Sequence, residues 1–142
     1  MIKEKSYGAI VYRQNQHQFE FLLIKQKNGL HYGFPKGHKE EKESDEAAAL
    51  REVKEETGIE IELKKGFKGK TNFSPQKNVL KEVVYFLGKA ITFTFKLQPE
   101  EIEEVHWVKE AEVVDRLTYE NDQQLFLKAI KRLKSLKKTK QW

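Results

Sequence analysis

One stretch, GHKEEKESDEAAALREVKEETGI from Gly37 to Ile59, constrains this chain more than any other. Ser44 is placed to cap a helix whose first turn carries Asp45 and Glu46. Ala47, Ala48, Ala49, Leu50 and Arg51 are good helix formers, and Gly58 is a natural stop just past the last turn. On that helix Glu52, Glu55 and Glu56 are spaced i, i+3 and i+4, so they are expected to share one face. Three carboxylates on one patch repel each other. Hard cations reverse that cost, because Mg²⁺ and Mn²⁺ take oxygen ligands. Ala47, Leu50 and Val53 are expected on the inward side. Arg51 stands one turn from Glu55, within reach of a charge-assisted hydrogen bond. A lone ExxEE also describes an ordinary solvated helix face. The added Gly37, Glu43, Arg51 and Gly58 separate this helix from that description, since seven fixed letters at these spacings coincide about once in 10⁸ positions.

At 142 residues, the chain is expected to form one domain over 1–142 with a real core. It has no cysteine, which excludes a disulfide framework, a thiolate nucleophile and a cysteine zinc cluster. MIKEKSYG lacks an apolar signal region, and no run approaches the ~18 apolar residues of a membrane span. A cytoplasmic protein with no membrane partner is expected. The net charge of +5 is concentrated near the end, in Lys128, Lys131, Arg132, Lys134, Lys137, Lys138 and Lys140. Leu125, Phe126, Ala129, Ile130, Leu133 and Leu136 interleave at helical spacing. This predicts an amphipathic helix over about 121–136, capped by Asn121 or Asp122, with a basic tail that frays. Its lysines read as a solvated face ahead of a nucleic-acid patch, which stays open as the alternative.

Strands are predicted at Ser6–Arg13 and Phe19–Lys25, joined by a polar NQHQ turn. Ile59–Leu63, Gly66–Phe73 and Glu104–Val108 are further strands. Lys81–Phe95 is long enough for two strands or one bent one, with Gly88 as a bulge or turn. A short helix is predicted at Lys109–Leu117. The pattern is α/β (α+β), a mixed sheet with helices packed on it.

The spacing of Gly37, Glu43, Arg51, Glu52, Val53, Glu55, Glu56, Gly58 and Ile59 is similar to the Nudix box. The chain therefore resembles the Nudix hydrolases, which cleave diphosphate bonds in nucleotides and related molecules with divalent metal. The resemblance implies an α/β/α sandwich around the mixed sheet. It extends to GFPKGH at Gly33–His38, Gly8–Tyr12, Phe73-Ser74-Pro75, Lys81–Leu87 and Leu117–Asp122. These segments resemble bacterial asymmetrical diadenosine tetraphosphate hydrolases. One departure is Tyr32, where that group usually has Trp.

The resemblance implies hydrolysis of a dinucleoside polyphosphate, with diadenosine tetraphosphate giving ATP and AMP. Glu52, Glu55, Glu56 and the Gly37 carbonyl correspond to metal ligands for Mg²⁺ (or Mn²⁺), with more than one ion expected. Glu101, six residues before Trp107, is the candidate ligand and base from outside the box. Which carboxylate is the general base stays open. Arg51 belongs with the catalytic set, placed to orient Glu55, and Glu43 is expected to orient Arg51 or the loop. Lys36, Lys81 and His38 are candidate phosphate contacts, with an ordinary loop lysine and a local backbone bond as the other readings of Lys36 and His38. Tyr85 and Tyr119 are candidates to stack on adenine, or else pack the core and the last helix. The partner is a small nucleotide, and oligomeric state is not readable. Two rivals share the chemistry: a pyrophosphatase for oxidised nucleoside triphosphates and an RNA 5′-pyrophosphohydrolase. A third is a nucleotide-binding module without catalysis.

Overall fold

The structure, a computed structural model, describes residues 1–27, 29 and 31–142. Its strands are β1 (Ile2–Asn15), β2 (Gln18–Gln26), β3 (Tyr32–Gly33), β4 (Lys36–His38), β5 (Ile61–Gln76), β6 (Val79–Ala90) and β7 (Ile102–Lys109). Its helices are α1 (Asp45–Thr57), α2 (Glu110–Arg116) and α3 (Glu120–Lys138). The sheet runs β3-β2-β1-β6-β5, with β4 also on β1 and β7 on β2. Only β1 and β6 pair in parallel among the described strands, with Gly8 opposite Tyr85. The sheet is therefore mixed, as the sequence implied.

Alternation along the central strands sorts the core into two layers. Ile10, Tyr12, Phe21, Leu23, Val83, Tyr85 and Leu87 face one side, where α3 supplies Leu125, Phe126, Ala129 and Leu133 and α2 supplies Val113. Ala9, Val11 and Leu22 face the other side and meet Val53 of α1. Tyr7, Val84 and Phe86 on that same side meet Ala48 and Ala49. The result is the expected α/β/α sandwich. No helix among the described residues is long and apolar enough to cross a membrane.

The box helix starts and stops as its sequence dictates. Ser44 accepts from the Ala47 N–H at 3.1 Å, and Gly58 ends the helix at φ 80°. Its inner face differs from expectation. Ala48, Ala49, Val53, Glu56 and Thr57 are buried, while Leu50 is 38% exposed. The helix is rotated so that small residues meet the sheet closely, and this carries Glu56 inward with Val53, three positions before it.

Three other expectations change. The two segments Ile59–Leu63 and Gly66–Phe73 form one strand, β5, whose register shifts between Lys64 and Lys68. Lys81–Phe95 holds one regular strand ending at Ala90, and Gly88 stays in register opposite Leu63 and Val11. Residues 91–96 leave the sheet and strap the end of α1 instead, through Ile91 N–H to Glu60 and Lys96 N–H to Thr57, both 2.8 Å. Helix α3 begins at Glu120, so neither Asn121 nor Asp122 caps it, and Asp122 is buried in its first turn.

The C-terminus does not fray after Leu136. Helix α3 continues to Lys138, and the Trp142 ring meets Phe19 edge-on at 5.8 Å. Lys137 lies over the other partner, Phe19, at 5.3 Å, and Lys89 over Trp142 at 5.7 Å. Replacing Trp142 with Ala should lower stability by about 1 kcal/mol, the scale of an aromatic pair, as read by urea unfolding. An unchanged unfolding midpoint would show that this contact contributes nothing.

Candidate active site

The segment GFPKGH reaches the box through two close approaches. Phe34 is buried in the core, and the Pro35 carbonyl accepts from the Ala9 N–H at 3.3 Å. Strand β4 then pairs with β1, Gly37 opposite Tyr7 and Lys36 opposite Gly8. A Cβ on Gly37 would collide with the Glu52 carboxylate. Glycine is therefore needed there so that the backbone can lie against that side chain.

Arg51 is the hub of the box. Its guanidinium donates to Glu43 twice, at 2.7 and 2.9 Å, to Glu52 at 2.8 Å and to Glu55 at 3.1 Å. It also donates to the His38 carbonyl at 2.8 Å. The hydrogen bonds from Arg51, helped by the Glu40 N–H, hold the Glu43 carboxyl down at about 2. Glu43 thus anchors Arg51, and Arg51 in turn orients Glu52 and Glu55.

Glu56 is in a different environment. It is 4% exposed, and its Oε1 accepts from the Lys36 N–H at 3.0 Å. Burial pushes its carboxyl up to about 8, with Glu52 and Glu101 adding to the rise against the Lys36 bond. Burial also raises Glu52, again with Glu55 and Glu101 contributing. Glu101 is exposed just before β7, and its charge is felt at both box carboxylates. Glu52, Glu55 and Glu56 are therefore graded: half-buried, exposed and buried.

This donor set fits a hard divalent cation. It consists of oxygens, and the burial that raises Glu52 and Glu56, with the neighbouring carboxylates adding to it, is a cost that a bound cation offsets. Among the described residues no three acidic or histidine side chains already form a closed cage. Mg²⁺ does not need one, since it takes one or two carboxylates and completes its shell with water and substrate phosphate.

A pocket adjoins the box, with Lys36 at the boundary. Burial lowers the Lys36 pKa, with Glu56, Lys81 and Asp122 all felt there. The pocket's far side is aromatic: Tyr119 stacks on Phe73 at 5.3 Å and 28°, and His31 leans on Tyr119 at 4.8 Å. Lys81 pairs with Glu4 at 3.5 Å, and its charge is felt at Lys36, but it does not line the pocket. The His38 side chain is exposed, and its backbone carbonyl is what the box uses. Tyr85 is 1% exposed and edge-on to Phe34 at 5.5 Å. It forms pocket floor and offers no free face, so the expectation of a stacking ring there gives way to a packing one.

Sequence reading missed Phe73 and His31 as pocket rings and Asp122 as a pocket wall. A signal for Asp122 existed. Asp122, Leu125, Phe126 and Ala129 stand at i, i+3, i+4 and i+7, so an acid occupies an apolar slot of the α3 stripe.

The burial of Glu56 makes stability depend on pH. Between its ordinary value of 4.5 and about 8, the folded chain keeps a proton that the unfolded chain has released. Stability in chelator should therefore fall as pH rises through that window. Asp122, raised by burial to about 6, adds to the lower part. Urea midpoints at pH 5 to 8.5 should show this slope, and Glu56→Gln should flatten its upper half. A midpoint that rises from pH 6 to 8 would contradict the assignment.

Comparison with known proteins agrees with this geometry. The NUDIX domain family matches residues 3–130. The asymmetrical bis(5′-nucleosyl)-tetraphosphatase of Mus musculus is 31% identical over 104 residues, which cover 66% of this chain and 70% of the mouse protein. Among solved structures, the binary complex of a C. elegans Ap4A hydrolase aligns with TM-score 0.84 and 25% identity, covering 93% of this chain and 98% of that one. The NUDIX domain of Shewanella oneidensis NrtR, complexed with ADP ribose, shares the fold at TM-score 0.75 and 22% identity over 94% of this chain and 90% of that one. The chain belongs to the NUDIX family, as one of its hydrolases.

Proposed function

We propose that this hydrolase cleaves a phosphoanhydride bond of dinucleoside polyphosphates, with diadenosine tetraphosphate giving ATP and AMP. The observation that carries this reading is the placement of Lys36 between a carboxylate cluster and a pocket of stacked aromatic rings. Rings take the π-face of a base, and the carboxylate side takes phosphates through cations. Similarity to the mouse and C. elegans proteins supports it, since both are named for that activity.

Glu52, Glu55, Glu56, Glu101 and the Gly37 carbonyl would hold Mg²⁺ or Mn²⁺, more than one ion in all. Bound there, the cations neutralise the polyphosphate and lower the pKa of water. Arg51 holds Glu52 and Glu55 in place through the substrate's arrival. Lys36, with Lys81 beside it, meets phosphate oxygens and stabilises charge that develops as the bridging P–O bond breaks. Glu101, exposed beside the buried carboxylates, accepts the proton of the attacking water. Tyr119 and Phe73 hold one base of the dinucleotide.

The test is a product assay over diadenosine tetraphosphate, oxidised dGTP and 5′-triphosphorylated RNA, with Mg²⁺ or chelator. ATP and AMP are expected from the first, and no turnover in chelator. Two ADP, or a wide preference for another substrate, would overturn the substrate assignment. Full activity in chelator would overturn the metal assignment. Glu56→Gln should lower kcat by roughly 10²-fold or more with the fold intact. Tyr119→Ala should weaken kcat/KM by roughly 1–3 kcal/mol. Tyr85→Ala should instead lower the unfolding midpoint.

A further inference from the structure

Asp122 is a buried acid without a protein partner. It lies in the first turn of α3 and is 8% exposed. Its carboxylate lines the aromatic pocket, with Oδ2 3.6 Å from where a Cβ on Gly33 would stand. Burial raises its pKa to about 6, Lys36 opposes this through its charge, and no hydrogen bond contributes. Among the described residues, then, nothing satisfies this carboxylate directly.

Among the described residues only the Tyr12 hydroxyl and Trp107 Nε1 are fully buried without a partner, so the Asp122 oxygens are reachable from the pocket and are open to a donor that enters it. The neighbouring surfaces narrow the choice. Phe73 and Tyr119 stack on each other, with His31 against Tyr119 and the Lys36 ammonium over Phe73, so a planar base taken in among these rings turns its edge toward the pocket wall. Phosphate is repelled by an acid and is drawn to Lys36 and the cation side. The edge of a base carries N–H groups, and an ionised carboxylate accepts two of them where they are adjacent. Guanine offers two neighbouring donors, its ring N1–H and its amino group. Adenine sets one amino donor beside a ring-nitrogen acceptor, which an ionised carboxylate repels.

We propose that Asp122 is the base-reading residue of this pocket, its carboxylate accepting N–H groups from the edge of a nucleobase stacked on Phe73 and Tyr119. It therefore favours a guanine edge over an adenine edge. This deepens the proposed function and rests on it for the placement of the base. Asparagine has the same shape but carries both a donor and an acceptor, which suits the adenine edge and gives up the paired grip on guanine's N1–H and amino group, although it can still meet N1–H and O6.

The experiment compares native protein, Asp122→Asn and Asp122→Ala with diguanosine and diadenosine tetraphosphates at pH 8. Thermal unfolding establishes that each variant is folded. Asp122→Asn should shift the guanine-to-adenine ratio of kcat/KM toward adenine by roughly tenfold, the scale of one bidentate base contact. Asp122→Ala should move the ratio the same way by losing the guanine grip. Equilibrium binding of GTP and ATP in chelator should show the same shift without any hydrolysis. Equal losses for both bases, or ratios within twofold of native in both folded variants, would overturn the proposal. If the binding ratio shifts while neither tetraphosphate is hydrolysed, the base reader stands and the substrate assignment falls.

Discussion

The site depends on how closely three backbones approach one another. Strand β4 is seated between β1 and the box helix, and the seat has no room for a side chain on either flank. A Cβ on Gly8 would meet the Pro35 carbonyl, and one on Gly37 would meet Glu52. This contact brings the Lys36 N–H to Glu56 and the His38 carbonyl to Arg51. One three-residue strand thus sets the distance between loop, helix and pocket. Widening it by a methyl group would displace Glu52 and Glu56 from the backbone groups that hold them.

Charge in the box is divided between groups with opposite tasks. Glu43 and Arg51 neutralise each other at the entrance and form the rigid part, with Glu43 held strongly ionised. Glu52 and Glu56 lie deeper and carry raised pKa values, so ionising them in the folded chain is unfavourable. That cost is typical of a site whose natural state includes a cation, since a cation binding only the folded form returns the stability. The surface around it is basic by composition, at +5 overall. Much of that charge sits on the outer face of α3, where it adds long-range attraction for anions that salt screens.

The box and its helix were legible because their signals are local. Ser44 and Gly58 announce the helix ends, and Glu43 to Arg51 spacing places a carboxylate across from a guanidinium. The two-layer core was legible as alternation. What was not legible came from tertiary contact. The rotation of α1 that exposes Leu50 and buries Glu56 depends on how close the sheet lies to Ala48 and Ala49. Gly88 looks like punctuation in sequence, yet it continues β6 because Ile61 from the neighbouring strand fills its space. The tail looks frayed from its lysines, yet Trp142 anchors it on Phe19, some 120 residues away in sequence. Tyr85 and Tyr119 looked equivalent as tyrosines, and only the position of Phe34 separates the packed ring from the available one.

The pocket and the carboxylate cluster are built largely by different elements, and Lys36 is where they meet. Its backbone belongs to β4 and the box, while its ammonium lies over the Phe73 ring at 5.4 Å and within the fields of Asp122 and Lys81. A lysine that is desolvated but unpaired gains most from a ligand that brings negative charge. A nucleoside polyphosphate does so at the junction of base and phosphate, where neither aromatic rings nor cations suffice alone. Under the proposed function, a base seated at Tyr119 would bring its phosphates to the Lys36 ammonium, while the Lys36 N–H stays bonded to Glu56. A site of this kind would suit molecules that carry both parts.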